Sequence, residues 1–223
     1  MKHFHGHRER IRQRIMRGDG SHLDDYEILE VLLCAFIPRV DVRPIAKKLV
    51  DRFGAVSAAL AASPERLMEI DGIGETTATY IRATNLLLQR AAADQVRDRP
   101  VISSWAALLN YVAAKIKHEK TEQARVLYLD RKNRLIADEL AGHGTVDHAP
   151  IYPREIARRA LELSASAVIL VHNHPSGDPT PSRADIDLTR DIERALAPFE
   201  IRVHDHLVVG ARETISMKAK GLI

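Results

Sequence analysis

Two histidines separated by one residue close an apolar run, and a serine and an aspartate follow across a Gly/Pro-rich turn. The stretch is VILVHNHPSGDPTPSRADIDLT, residues 168–189. On an extended strand, positions i and i+2 point to the same side, so His172 and His174 aim at one spot where the strand ends. An imidazole pair so arranged suits Zn2+, which takes three protein ligands and keeps one position for water when it is catalytic. A third ligand must then come from elsewhere. Asp185, in the first turn of the helix expected after the turn, offers a carboxylate that completes a His2Asp set. Ser182-Arg183-Ala184-Asp185 is also a capping-box pattern, and taken alone these two residues are accounted for by helix capping. Joined to a histidine pair at the end of a buried strand, they read as a metal site, and ligands beyond the carboxyl end of a strand are usual in open α/β sheets.

Other histidines invite the same question. His204 and His206 repeat the spacing in VHDHLVVG but lack a nearby turn with a third ligand; they read as strand residues with satisfied imidazoles or as supports of the first pair. His3, His5 and His7 could take metal adventitiously near a terminus. The literal string HNH at 172–174 is no sign of an HNH nuclease, which spreads those residues over a ββα unit.

The elements that must carry the site lie in the second half of the chain. ARVLYLD and RLIADELA are strand-like runs around the turn RKN and read as a hairpin. Pro153 opens the helix REIARRALEL. SAVILVHNH is a continuous apolar strand, a pattern that means burial on both faces of a sheet. RADIDLTRDIERALAPF reads as an amphipathic helix, IRVHDHLVVG as another strand and TISM as a short last one. WAALLNYVAAKI, capped by Ser104, precedes them. Strands alternating with helices predict a layered α/β domain with a mixed sheet.

The first part has a different texture. Asp24 or Asp25 caps YEILEVLLCAFI; RPIAKKLVDRF ends at Gly54; Ser63 and Pro64 start SPERLMEI; and TTATYIRATNLLLQRAAA follows IDGIGE. These predict a small all-α domain over residues 1–97 and an α/β domain over 98–223, divided in the polar segment DQVRDRPVISS. IDGIGETTA resembles a helix-hairpin-helix, in which Gly72 and Gly74 permit a tight turn whose backbone amides can hold a phosphate. Asp71 and Glu75 put negative charge where that phosphate would come. Residues 2–17 hold six Lys/Arg and one Glu. They read either as a solvated helix face or as a basic N-terminal arm, with Arg8, Arg10, Arg12 and Arg14, that meets DNA phosphates.

The totals exclude less than they permit. An apolar fraction of 45% and a charged fraction of 28% are those of a globular protein, and a net charge of +3 says little about partners. Cys34, the single cysteine, rules out an internal disulfide framework and reads as a buried inert thiol. Its apolar run is too short to span a bilayer, and no signal peptide opens the chain, so the expectation is a cytoplasmic protein without a membrane partner.

The spacing His172-x-His174, seven residues, Ser182, two residues, Asp185 resembles the JAMM motif of the MPN metallohydrolases, with every position filled. HNHPSGDPTPSRAD, with YPREIARRAL upstream and DHLVVG downstream, resembles the RadC branch of that family from about residue 100 to the C-terminus, and similar first domains accompany that branch. The resemblance implies an MPN (JAMM, cytidine-deaminase-like) fold. It also implies zinc on His172, His174 and Asp185, oxyanion stabilisation by Ser182, and a general base at Glu122 in TEQARVLYLD, with Glu139 as the alternative. The implied reaction is metal-assisted hydrolysis of an amide, peptide or isopeptide bond in an unknown protein or peptide substrate, although the branch carries a DNA-repair name. The rival is a DNA-associated binding protein whose zinc site is vestigial or structural, a structural one being closed by a fourth ligand such as Asp178 or Asp187. A two-metal nuclease would want more clustered carboxylates.

Overall fold

The computed structural model describes residues 3–18, 20–38, 40–96, 100–101, 103–143 and 151–223. The chain forms two compact units, Met1–Leu87 and Leu88–Ile223.

The first unit is helical. It contains α1 (His3–Met16), α2 (Asp25–Phe36), α3 (Arg43–Phe53), α4 (Val56–Ala61), α5 (Pro64–Met68) and the start of α6 (Glu75–Val96). Asp24 is the N-cap of α2, and the Glu27 carboxylate accepts its backbone N–H at 3.1 Å. The periodic apolar positions Leu29, Leu33, Ile45, Leu49, Leu67 and Ile81 meet in one core. The six-residue α4 is too short and too alanine-rich to show a helical period in the sequence. Gly72 sits at φ +93°, and a Cβ there would lie 2.7 Å from Ile45 Cδ1, so the turn before α6 needs glycine. Gly74, by contrast, faces open space.

The polar segment expected to divide the domains begins inside α6, which continues to Val96, while residues 97–99 and 102 lie outside the described residues. The last turns of α6 place Ala92, Ala93 and Val96 in the core of the second unit, which accounts for the division at Leu87.

The second unit holds α7 (Trp105–Ile116), β1 (Gln123–Leu129), β2 (Leu135–His143), α8 (Pro153–Glu162), β3 (Ala167–Asn173), α9 (Arg183–Leu196), β4 (Arg202–Val209) and β5 (Thr214–Ser216). The sheet order is β2-β1-β3-β4-β5. β3 and β4 are parallel, with α9 as their crossover, and the other neighbours are antiparallel, so the sheet is mixed. Period-2 alternation sends Leu127, Leu129, Ile169, Val171 and Leu207 towards α7, and Val126, Tyr128, Val168 and Leu170 towards α8 and α9. β3 is buried along its whole length, as its unbroken apolar run predicts. Each of its aliphatic side chains contributes about 1.5–3 kcal/mol by burial, which makes this strand a firm platform for whatever stands at its end. Among the described residues no helix is long and apolar enough to cross a membrane.

Candidate metal centre

His172 is the sixth residue of β3 and is buried; His174 follows one residue past the strand and is partly exposed. The ring nitrogens His172 Nε2 and His174 Nε2 face each other at 2.9 Å. Asp185 enters from α9, its Oδ1 3.5 Å from His172 Nε2 and its Oδ2 3.8 Å from His174 Nε2. One donor atom from each residue falls within a 4.8 Å cluster, the set among the described residues that could hold a metal ion.

The capping and ligand readings of Ser182 and Asp185 describe the same geometry. Ser182 is the N-cap of α9, and its backbone N–H and hydroxyl both donate to Asp185 Oδ2 at 2.7 Å, while Asp185 N–H donates to Ser182 Oγ at 3.2 Å. The cap therefore fixes the rotation of the carboxylate, which turns Oδ1 to His172 and keeps Oδ2 on the side of His174. Burial disfavours the Asp185 carboxylate, but the neighbouring imidazoles and the Ser182 donors outweigh it and hold the carboxyl below its usual range. Burial likewise lowers His172 to about 4 and His206 to about 3, so both imidazoles are neutral near pH 7.

The loop after β3 aims the second imidazole. His174 Nδ1–H donates to the Asp178 carbonyl at 2.7 Å; a carbonyl can only accept, so His174 Nε2 carries the lone pair. His174 N–H donates to the Val209 carbonyl, and Ala211 N–H to the Gly177 carbonyl. This packing leaves no room at Gly210, where a Cβ would lie 2.7 Å from both the Gly177 carbonyl and the Pro179 ring. Gly210→Ala is expected to cost about 1–3 kcal/mol, the usual range for overpacking. Calorimetry should show it as a Tm several degrees lower, and an unchanged Tm would mean that the loop yields freely.

Asn173, between the two histidines, points to the opposite face, towards α7. Its side-chain amide donates to the Glu119 and Thr121 carbonyls at 3.3 and 3.2 Å and accepts from Gln123 N–H at 2.8 Å. The segment on either side of Glu122 is thus fastened to the metal-site strand. Ala124 pairs with His172 across the β1–β3 ladder. Glu122 stands two residues before Ala124, just ahead of the first residue of β1. Glu139 stands apart, on β2, where Arg159 of α8 grips its carboxylate at 2.6 and 2.8 Å and lowers its pKa. It lines a cavity of about 480 Å³ between β2 and α8, with Tyr128, Tyr152 and Glu162.

The second histidine pair is split. The β3–β4 register shifts between Val168↔Val203 and Ile169↔Asp205, so His204 is taken up in a bulge and does not share a face with His206. His204 Nε2 meets Asn133 Oδ1 at 2.6 Å, whereas His206 Nε2 lies 2.8 Å from His172 Nδ1. Asp178 Oδ1 accepts from Thr180 N–H and Oγ1–H at 2.9 and 2.7 Å, and Asp187 pairs with Arg183 at 3.3 Å. Sequence reasoning left Thr189, Asn173 and Gly210 unassigned. Their only local signals are a threonine four residues after Asp185, the residue shared by two histidines and a glycine closing a buried strand.

The helical unit brings fewer of its candidates together. Arg8 donates to the Val40 carbonyl and Arg14 to the His22 carbonyl at 2.8 Å, while Arg10 and Arg12 are exposed. His7 Nε2 lies 3.2 Å from buried Glu30 and also meets Arg43; the side chains of His3 and His5 lie outside the described residues.

A family model described as RadC-like JAB domain matches residues 102–222. A UPF0758 protein of Ruegeria pomeroyi is 52% identical over 217 residues, covering 97% of this chain and 97% of that protein. A UPF0758 protein of Rhodobacter capsulatus is 51% identical over 213 residues, covering 96% of this chain and all of that protein. A helical unit, a mixed five-stranded sheet and a His-His-Asp cluster beyond its central strand agree with that match, and the chain belongs to the family of RadC-like JAB-domain proteins.

Proposed function

We propose that this protein is a zinc-dependent hydrolase of an amide, peptide or isopeptide bond, with His172, His174 and Asp185 as ligands. The observation that carries this reading is a three-donor cluster in which the His174 lone pair faces His172 Nε2 and a half-buried carboxylate. Two imidazole nitrogens and one carboxylate oxygen are the donors zinc takes at catalytic sites, and a set of three leaves a position for water. The carboxylates that the sequence offers as a closing fourth ligand are engaged elsewhere, Asp178 by Thr180 and Asp187 by Arg183. That favours the hydrolase over a binding protein with a structural zinc. Bound here, zinc would supply a Lewis acid and lower the pKa of a water from 15.7 towards about 7.

The chain's own residues do the rest. Glu122 takes the proton of the attacking water and returns it to the leaving nitrogen, so that the broken C–N bond yields a carboxylate and an amine. The Asn173 hydrogen bonds hold the backbone around it against β3, and the Arg159 grip makes Glu139 the poorer base. Ser182 donates to the oxyanion; its single hydroxyl proton is committed to Asp185 Oδ2 and must be released to do so. Contact of the helical unit with DNA has thinner support, since Arg8 and Arg14 already donate to carbonyls of their own unit.

Elemental analysis of the purified protein should find about one zinc per chain, removable by a chelator, and His174→Ala should fold yet retain only a small fraction of it. Full zinc content in that variant would show that the ligands are misassigned. New amino termini released from a mixed peptide and isopeptide library, reversibly with chelator, would establish the reaction class. Stoichiometric zinc with no release from any substrate would favour the binding protein.

A further inference from the structure

Thr189 is fully buried on α9, one turn after Asp185, and its Oγ1 lies 2.6 Å from the Asp185 carbonyl and 2.6 Å from His206 Nδ1. A hydroxyl has one hydrogen, and of these two neighbours only the carbonyl is bound to accept. The Thr189 hydrogen therefore goes to Asp185, and Thr189 Oγ1 accepts from His206 Nδ1–H. His206, itself buried, is left with a bare Nε2, 2.8 Å from His172 Nδ1, so His172 must carry its hydrogen on Nδ1. Its lone pair is then on Nε2, facing His174 and Asp185.

The reverse order would end differently. With the Thr189 hydrogen turned to His206, every proton along the chain moves over by one site, and His172 carries its hydrogen on Nε2. That hydrogen would point at His174 Nε2, 2.9 Å away, and the cluster would satisfy itself with no cation.

We propose that Thr189 and His206 are positioning residues whose ordered hydrogen bonds, Asp185 carbonyl to Thr189 to His206 to His172, turn the His172 Nε2 lone pair towards the metal site. The relay ties two ligands from different elements, β3 and α9, through a residue of β4. It rests on the reading that the cluster binds zinc. Partners of this kind fix ligand tautomer and orientation, and losing one costs about 10–100-fold in metal affinity.

Zinc affinity by competition with a chromophoric chelator tests the relay. Thr189→Val, which keeps the shape and removes the acceptor, should weaken binding about 10–100-fold, and Thr189→Ser should restore it. His206→Gln can still accept from His172 through its amide oxygen and donate to Thr189 through its nitrogen, so it should bind far better than His206→Leu. In the zinc-loaded wild type, imidazole 15N shifts should place the His206 proton on Nδ1. Wild-type affinity in Thr189→Val, or a His206 proton on Nε2, overturns the relay. If Thr189→Val does not fold, equal affinities of His206→Gln and His206→Leu do the same. A wild type that takes up no zinc fails the metal reading instead; in that case the apo spectrum decides the relay, with the His172 proton on Nδ1 supporting it and on Nε2 overturning it.

Discussion

Glu122→Gln is expected to keep its fold and its zinc while losing turnover about 10²–10⁴-fold, the usual worth of a positioned general acid–base. Glutamine preserves the size of the side chain and its capacity to accept a hydrogen bond, but it cannot take up a proton near neutral pH. Glu122 precedes β1 by one residue and is fastened from the far side of the sheet by Asn173, whose three backbone hydrogen bonds bracket it. Because the proposed zinc ligands stand at the end of β3 and on α9, the substitution should leave metal content at the wild-type level. Zinc analysis run beside the kinetics separates a lost base from a lost metal. Glu139→Gln is the control: its carboxylate is held by Arg159, and removing it should spare most of the rate. Should Glu139→Gln abolish turnover and Glu122→Gln spare it, the base has been placed on the wrong strand.

Asp138→Ala is expected to destabilise the protein by about 3–5 kcal/mol, as breaking a buried ion pair from one side does. Asp138, on β2, has a side chain only 6% exposed, which receives Lys115 Nζ at 2.5 Å, Arg125 Nε at 2.7 Å and the Tyr111 hydroxyl. Its removal leaves Arg125, 15% exposed, without its carboxylate, while Lys115 can turn towards solvent. Urea unfolding should show the loss, with a fall in Tm on the order of ten degrees. A change below about 1 kcal/mol, the range of exposed pairs, would show that water screens the cluster. The pH dependence has a definite sign. Burial works against the Asp138 carboxylate, but Lys115, Tyr111 and Arg125 outweigh it, so its folded pKa lies below the unfolded value. The stabilisation is therefore fully present above the ordinary carboxylate range and is lost as pH falls through the depressed folded value. The alanine variant should lose less stability than the wild type across that acid window.

Most of the secondary structure was legible because it depends on neighbours along the chain. The unbroken apolar run at 167–171, the serine and proline at 63 and 64, and the turn around Asn133 announce a buried strand, a helix start and a hairpin. The three-donor set was legible for the same reason: i and i+2 on a strand share a face, and an aspartate at N3 lies within reach of its N-cap serine. The alanine-rich α4 left no period to read, and α6 passes from one core to the other without a break in its sequence pattern.

What the sequence by itself determined here is therefore the set of groups joined by short stretches of chain: His172 with His174, Ser182 with Asp185, and the elements that carry them. Only the tertiary structure decided which distant groups support them. His204 and His206 have the spacing of the first pair, yet one bulge in β4 sends His204 to Asn133 and leaves His206 against His172. Thr189 reads in sequence as an ordinary helix residue until β4 brings His206 to its hydroxyl. Asp138 reads as a strand residue until α7 lays Tyr111 and Lys115 over it. The physical reason is one of register. Strand alignment places side chains in steps of about 3.3 Å, and a shift of one residue exchanges the two faces of a strand. Local periodicity fixes which face a residue takes within its own element, but the register between elements fixes what it meets there, and that is set by the packing of the whole core.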